Sequence, residues 1–161
     1  MTPTAPRPPS EGDRSRLRTL FCGFGPASEA AAVEMVRLGH PTSNLAVLTA
    51  EAPRFDAARA LGLAVFKVRA LTAAGIAERL RAGPTRVIFE LGDDHALALL
   101  LLAVRPRFPG TGLIALSTNS GARAALTRCG ATEILCVSRI AGLLLAATVT
   151  GPRARPGGLP L

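Results

Sequence analysis

The chain contains no tryptophan and no tyrosine, and aromatic residues make up only 4% of it. A surface that stacks on nucleic-acid bases needs several exposed rings, so that class of binder is disfavoured. Histidine is nearly as scarce: His40 and His95 are the only two. A histidine-rich metal site or a histidine-based triad is therefore not expected. The three cysteines, Cys22, Cys129 and Cys136, form no Cys-x-x-Cys pair, and Cys22 and Cys136 sit inside apolar runs. Buried, reduced thiols of a cytosolic protein are the natural reading. Long apolar runs are missing too. The longest, Ala96 to Val104, falls well short of the roughly 20 residues that cross a bilayer. Residues 1–16 are rich in Pro and Arg and lack the apolar centre of a secretory signal. Together these absences predict a soluble chain.

What remains is ample for one domain. The 161 residues are 48% hydrophobic, so the core is expected to be built from Ala, Leu and Val, as in a sheet covered by helices on both faces. The net charge of +8 suggests a nucleic-acid partner only until its distribution is read. Residues 1–18 and 151–161 carry +4 of it, and the body has no basic run. Solvated faces and basic tails near an anionic surface account for such a pattern, and no nucleic-acid partner is expected. Residues 1–16, with five Pro or Gly among the first twelve, and residues 151–161 read as disordered tails around one domain at 17–150.

The most informative stretch is Leu17 to Leu38. The apolar run Leu20-Phe21-Cys22 reads as a buried strand, Gly23-Phe24-Gly25 as a tight turn, and Pro26 onward as an amphipathic helix. On that helix Ala27, Ala31, Met35 and Leu38 share one face, opposite Glu29, Glu34 and Arg37. Strand, Gly-x-Gly turn and helix form the opening of a dinucleotide-binding unit. The first glycine permits the turn, the second lets a pyrophosphate approach the backbone, and the helix N-terminus offers free N–H groups. Ser28 stands at the third small position of that fingerprint, and Pro26 suits a first helical turn. A tight turn without a ligand explains the same residues.

The rest of the chain alternates in the same way. Strands are expected at Asn44–Thr49, Leu63–Val68, Arg86–Leu91, Leu113–Ser117 and Glu133–Val137. Helices are expected at Pro53–Leu61, Thr72–Arg81 with Thr72 as cap, Ala96–Val104 capped by Asp94, Gly121–Arg128 and Ile140–Val149. This order predicts an α/β, Rossmann-like, doubly wound and mainly parallel six-stranded sheet with helices on both faces, its ligand crevice at the carboxyl ends of the strands. The ribose-binding acid of such folds falls near Thr49, with Glu51 the nearest carboxylate; Glu51 as a mere helix-start acid is equally consistent. The Ala96–Val104 helix is apolar almost all round, which points to cover by the sheet on one side and another subunit on the other.

The order of elements resembles the RCK, or TrkA-N, domain family. The carriers are Gly23-Phe24-Gly25, Asn44-Leu-Ala-Val-Leu48, Phe55-Asp-Ala-Ala-Arg-Ala-Leu-Gly62, Val87 to Leu91 followed by Gly92-Asp93-Asp94, and Arg128-Cys-Gly-Ala-Thr-Glu-Ile-Leu135. The resemblance implies a non-catalytic cytoplasmic module, controlling a potassium channel or transporter from the inner face of the membrane. It also implies NAD(H) or another adenine nucleotide as cofactor, a homodimer or larger ring, and a membrane channel or transporter subunit as partner. It places the nucleotide at Gly23, Phe24, Gly25, Pro26, Ala27 and Ser28, with Thr49, Glu51, Arg69 and Asp93 as further wall. Three positions depart from the family pattern: Ser28 replaces a glycine, Thr49 the ribose acid, and Val68-Arg69-Ala70 a Gly-Asp-Ala. Two alternatives stand beside this reading, a degenerate scaffold for protein contact and an NAD(P)-dependent oxidoreductase fragment.

Overall fold

The computed structural model describes residues 18–80 and 83–150, so the two tails read from the sequence, and Arg81 at the end of an expected helix, lie outside the described residues. Six strands form one sheet: β1 (Thr19–Gly23), β2 (Leu45–Thr49), β3 (Ala64–Lys67), β4 (Arg86–Glu90), β5 (Gly112–Ser117) and β6 (Glu133–Cys136). Their order is β3-β2-β1-β4-β5-β6, and every pairing is parallel. The chain winds outward from β1 in one direction and then returns to wind the other way from β4. Adjacent β1 and β4 are thus the point where connections diverge and leave a crevice.

Alternation along the strands divides the core into two layers. Leu20, Cys22, Ala46, Leu48, Val87, Phe89, Leu113 and Ala115 face one side. Helices α3 (Ala73–Leu80), α4 (Asp94–Val104) and α5 (Arg123–Arg128) cover them. Phe21, Leu45 and Val47 face the other side, under Ala32 of α1 (Pro26–Arg37) and Ala58 of α2 (Ala52–Ala60). Burial in the first layer pushes the Cys22 thiol pKa far up, so this sulfur is an inert core atom. Cys129 and Cys136 are only half-buried, which corrects the expectation for Cys136. There the Ser138 hydroxyl beside the sulfur holds the thiol below its usual range.

Two further local expectations are corrected. The buried stripe of α1 is Ser28 and Ala32, not Ala27 and Ala31, and Leu38 is exposed. The small side chains at 28 and 32 let the helix lie close on the sheet, and the larger Met35 and Val36 pack at its margin. Asp93, not Asp94, caps α4: its carboxylate accepts from the amides of His95 at 3.0 Å and Ala96 at 3.4 Å. Gly92, at φ +75°, turns the chain so that residue 93 arrives at the cap position, while Asp94 accepts from the Ser117 hydroxyl at 2.8 Å. Thr72 caps α3 as expected, accepting from the Gly75 amide.

Helix α4 buries Leu97, Leu100, Leu101 and Val104 and leaves Leu99 and Leu102 more than half exposed. The last helix, α6 (Val137–Thr150), begins three residues before the expected start. It exposes Ile140, Leu143, Leu144 and Leu145. No helix among the described residues is long and apolar enough to cross a membrane.

Candidate functional site

The first glycine turn sits at the carboxyl end of β1, directly beside the end of β4, where Gly23 is in register with Glu90. Gly23 adopts φ +89°, and a Cβ there would overlap the Glu90 carbonyl oxygen. The first glycine is therefore demanded by two converging strands, whether or not a ligand is present. Phe24 has φ +154°, a backbone state that costs a bulky residue on the order of 1–3 kcal/mol. Its ring is fully buried and packs edge-on against Phe21, with centroids 5.7 Å apart, which fixes the loop. The buried ring leaves the backbone as the part of Phe24 that lines the turn.

Gly25 precedes α1 with an ordinary negative φ of −76°, so here the missing Cβ provides space. That space holds the carboxylate of Glu90, which a Cβ on Gly25 would strike. The carboxylate accepts from the Ala27 amide at 3.2 Å and the Ser28 amide at 2.7 Å. An anion thus already lies on the free N–H groups of α1, where the helix dipole favours negative charge by about 0.3–2 kcal/mol. The Ser28 hydroxyl is buried beside these contacts and has no hydrogen-bond partner among the described residues. Pro26 occupies the first helical turn, where its missing donor is harmless.

Glu90 is the residue that reading the sequence missed. The signal was present as a carboxylate at the carboxyl end of β4, directly after its apolar middle Val87-Ile88-Phe89. The Ala27 and Ser28 amides converge on the one position that this carboxylate fills.

The second expected wall lies at the end of β2. Thr49 is buried, and its hydroxyl accepts from the Glu51 amide at 3.1 Å, closing the turn into α2. Glu51 is exposed, with only a 3.6 Å ion pair to Arg54. Arg69 is exposed just beyond β3, and the Asp93 carboxylate is engaged in its cap. The strand order brings the ends of β1, β2 and β4 together. The turn after β3 stands one strand farther out. Among the described residues no group of three or more His, Cys, Asp or Glu is arranged to hold a metal.

The fold is that of TrkA-N and RCK domains. The TrkA-N domain of the Escherichia coli inner membrane protein ybaL superposes with a TM-score of 0.66 at 17% identity, over 82% of this chain and 96% of that one. The NAD(P)-binding domain of an exopolyphosphatase-related protein from Archaeoglobus fulgidus gives 0.70 at 12% identity, over 84% and 98%. The GsuK channel bound to NAD gives 0.65 at 21% identity, over 81% of this chain but 23% of that longer one. A looser likeness, TM-score 0.50 at 26% identity over 72% of this chain and 39% of the other, extends to an imine reductase from Streptomyces aurantiacus. The sequence matches no protein-family model and has no significant match among curated proteins.

Proposed function

We propose that the chain is a non-catalytic regulatory module that binds an adenine nucleotide, NAD(H) or ADP, and passes its presence to a membrane potassium channel or transporter. The observation that carries this reading is the anion position at the β1–β4 divergence, where two α1 amides converge on one carboxylate. The same position in a dinucleotide-binding unit takes the pyrophosphate. Gly23, Gly25, Ala27 and Ser28 form the phosphate side through their backbone. Glu51, whose carboxylate is exposed, takes the ribose hydroxyls more readily than Thr49, whose hydroxyl already accepts a hydrogen bond. The nucleotide-bound and channel-borne relatives support this reading through shared fold. Regulation then needs only different affinity in two conformations, not chemistry.

An oxidoreductase, the reading that the imine reductase likeness favours, needs a placed proton donor. The sequence has no tyrosine, and His40 and His95 are exposed, with no hydrogen bond among the described residues to hold either ring. The exposed leucines of α6 and α4 suit burial against a second copy, in a homodimer or larger ring.

A thermal-shift series with NAD⁺, NADH, ATP, ADP and a cyclic dinucleotide tests the nucleotide. A ligand at 100 times its dissociation constant stabilises the fold by about 2.7 kcal/mol, a rise of several degrees in a domain of this size. A selective rise with one of them, and no consumption of NADH, is expected. No shift with any of the five overturns the reading in favour of a scaffold.

A further inference from the structure

We infer that Glu90 is an internal competitor for the phosphate position, so that a nucleotide binds only by expelling this carboxylate from the α1 N-terminus. The inference rests on the nucleotide reading above and names the residue that sets its affinity. Three observations converge on it. Both carboxylate oxygens are engaged, one by each of the amides a pyrophosphate would use. Gly25 keeps a cleft into which the carboxylate fits and from which any side chain on residue 25 would push it. The Ser28 hydroxyl, on the residue whose amide holds the carboxylate, is buried without a partner among the described residues. Glu90 satisfies the helix amides and leaves that hydroxyl unused.

The arrangement has a direct consequence for recognition. A side chain already on the site reduces the apparent affinity for any competing anion by the fraction of molecules in which it has left. That reduction falls on phosphates and spares uncharged parts of a ligand. Glu90 therefore discriminates against the pyrophosphate while leaving the contact of a nucleoside with the end of β2 untouched. Its backbone is tied to Gly23 through the strand ladder, so the side chain leaves by rotation while β4 stays in place.

Isothermal titration of the wild-type chain, Glu90→Ala and Glu90→Gln with ADP, inorganic pyrophosphate and adenosine tests the inference. Glu90→Ala opens the position outright. Glu90→Gln keeps the shape, and one amide oxygen to accept, while removing the charge. Both variants are expected to bind ADP and pyrophosphate about tenfold or more tighter than wild type, with adenosine unchanged. Measurable ADP binding that is equal in all three chains overturns the competitor role while the nucleotide reading stands. Absence of binding by all three at millimolar ligand overturns both. A parallel gain for adenosine also overturns the inference, because the effect is then not one of anion competition.

Discussion

Gly23→Ala is expected to cost the domain about 3–4 kcal/mol, a large share of the roughly 5–15 kcal/mol that holds a typical domain folded. Two terms add. A non-glycine residue held in left-handed backbone space costs about 1–2 kcal/mol. Overpacking adds roughly 1–3 kcal/mol, because the new methyl group meets the backbone carbonyl of Glu90 in the adjacent strand, which cannot rotate away. Gly39→Ala is the matched control. Gly39 has nearly the same φ, +88°, but a Cβ there meets nothing within 4 Å, so only the first term, about 1–2 kcal/mol, is expected. Urea unfolding of the two variants measures the difference. Equal losses would show that strand convergence does not constrain Gly23.

Arg105→Ala is expected to cost about 3 kcal/mol, since hydrogen bonds from a charged group contribute about 1.5–3 kcal/mol and carbonyls left unpaired add to the loss. Arg105 follows α4 and gathers a loop by itself. Its Nε donates to the Gly130 carbonyl at 2.9 Å, and its Nη1 lies 2.9 Å from that of Pro109, 3.0 Å from that of Thr111 and 3.3 Å from that of Phe108. Gly130, at φ +107°, lies so close that a Cβ would come within 2.7 Å of the Arg105 Cβ. The Arg-Cys-Gly-Ala run that carries much of the family resemblance is thus partly a receptor for this arginine. Arg105→Lys should recover only a minor part, because an ammonium lacks the planar fork that reaches the two sides of the loop at once. Thermal unfolding checks both variants; full rescue by Lys would mean that charge alone matters there.

Much of the fold was legible because the parallel strands are buried on both faces and read as short apolar runs between glycines. Strand ends differ by at most one residue from those expected, since only hydrogen-bond register fixes them. The helix faces were harder to read. Ser28 is polar and Ala31 apolar, so periodicity placed the stripe of α1 one position away from Ser28 and Ala32, which the sheet buries because they are small. Choosing between Asp93 and Asp94 as the cap depended on the φ of Gly92, which composition does not show.

The site was legible only as a backbone pattern. Gly23-Phe24-Gly25 announced the turn, yet both of its glycines are occupied by β4: Gly23 by the Glu90 carbonyl and Gly25 by the Glu90 carboxylate. That relation exists only after β1 and β4, far apart in sequence, lie side by side. Thr49 follows from spacing after the glycines, and Arg69 from the family resemblance alone. Burial of the first and exposure of the second are products of the tertiary fold.

The central claim, that the amides at the start of α1 receive the phosphates of an adenine nucleotide, is tested most directly by amide chemical shifts. In a titration of the ¹⁵N-labelled chain with ADP, the account predicts the largest changes at Gly25, Ala27 and Ser28, with a second group at Glu51 at the end of β2. Changes confined to residues away from these strand ends, or none at saturating ADP, would contradict it.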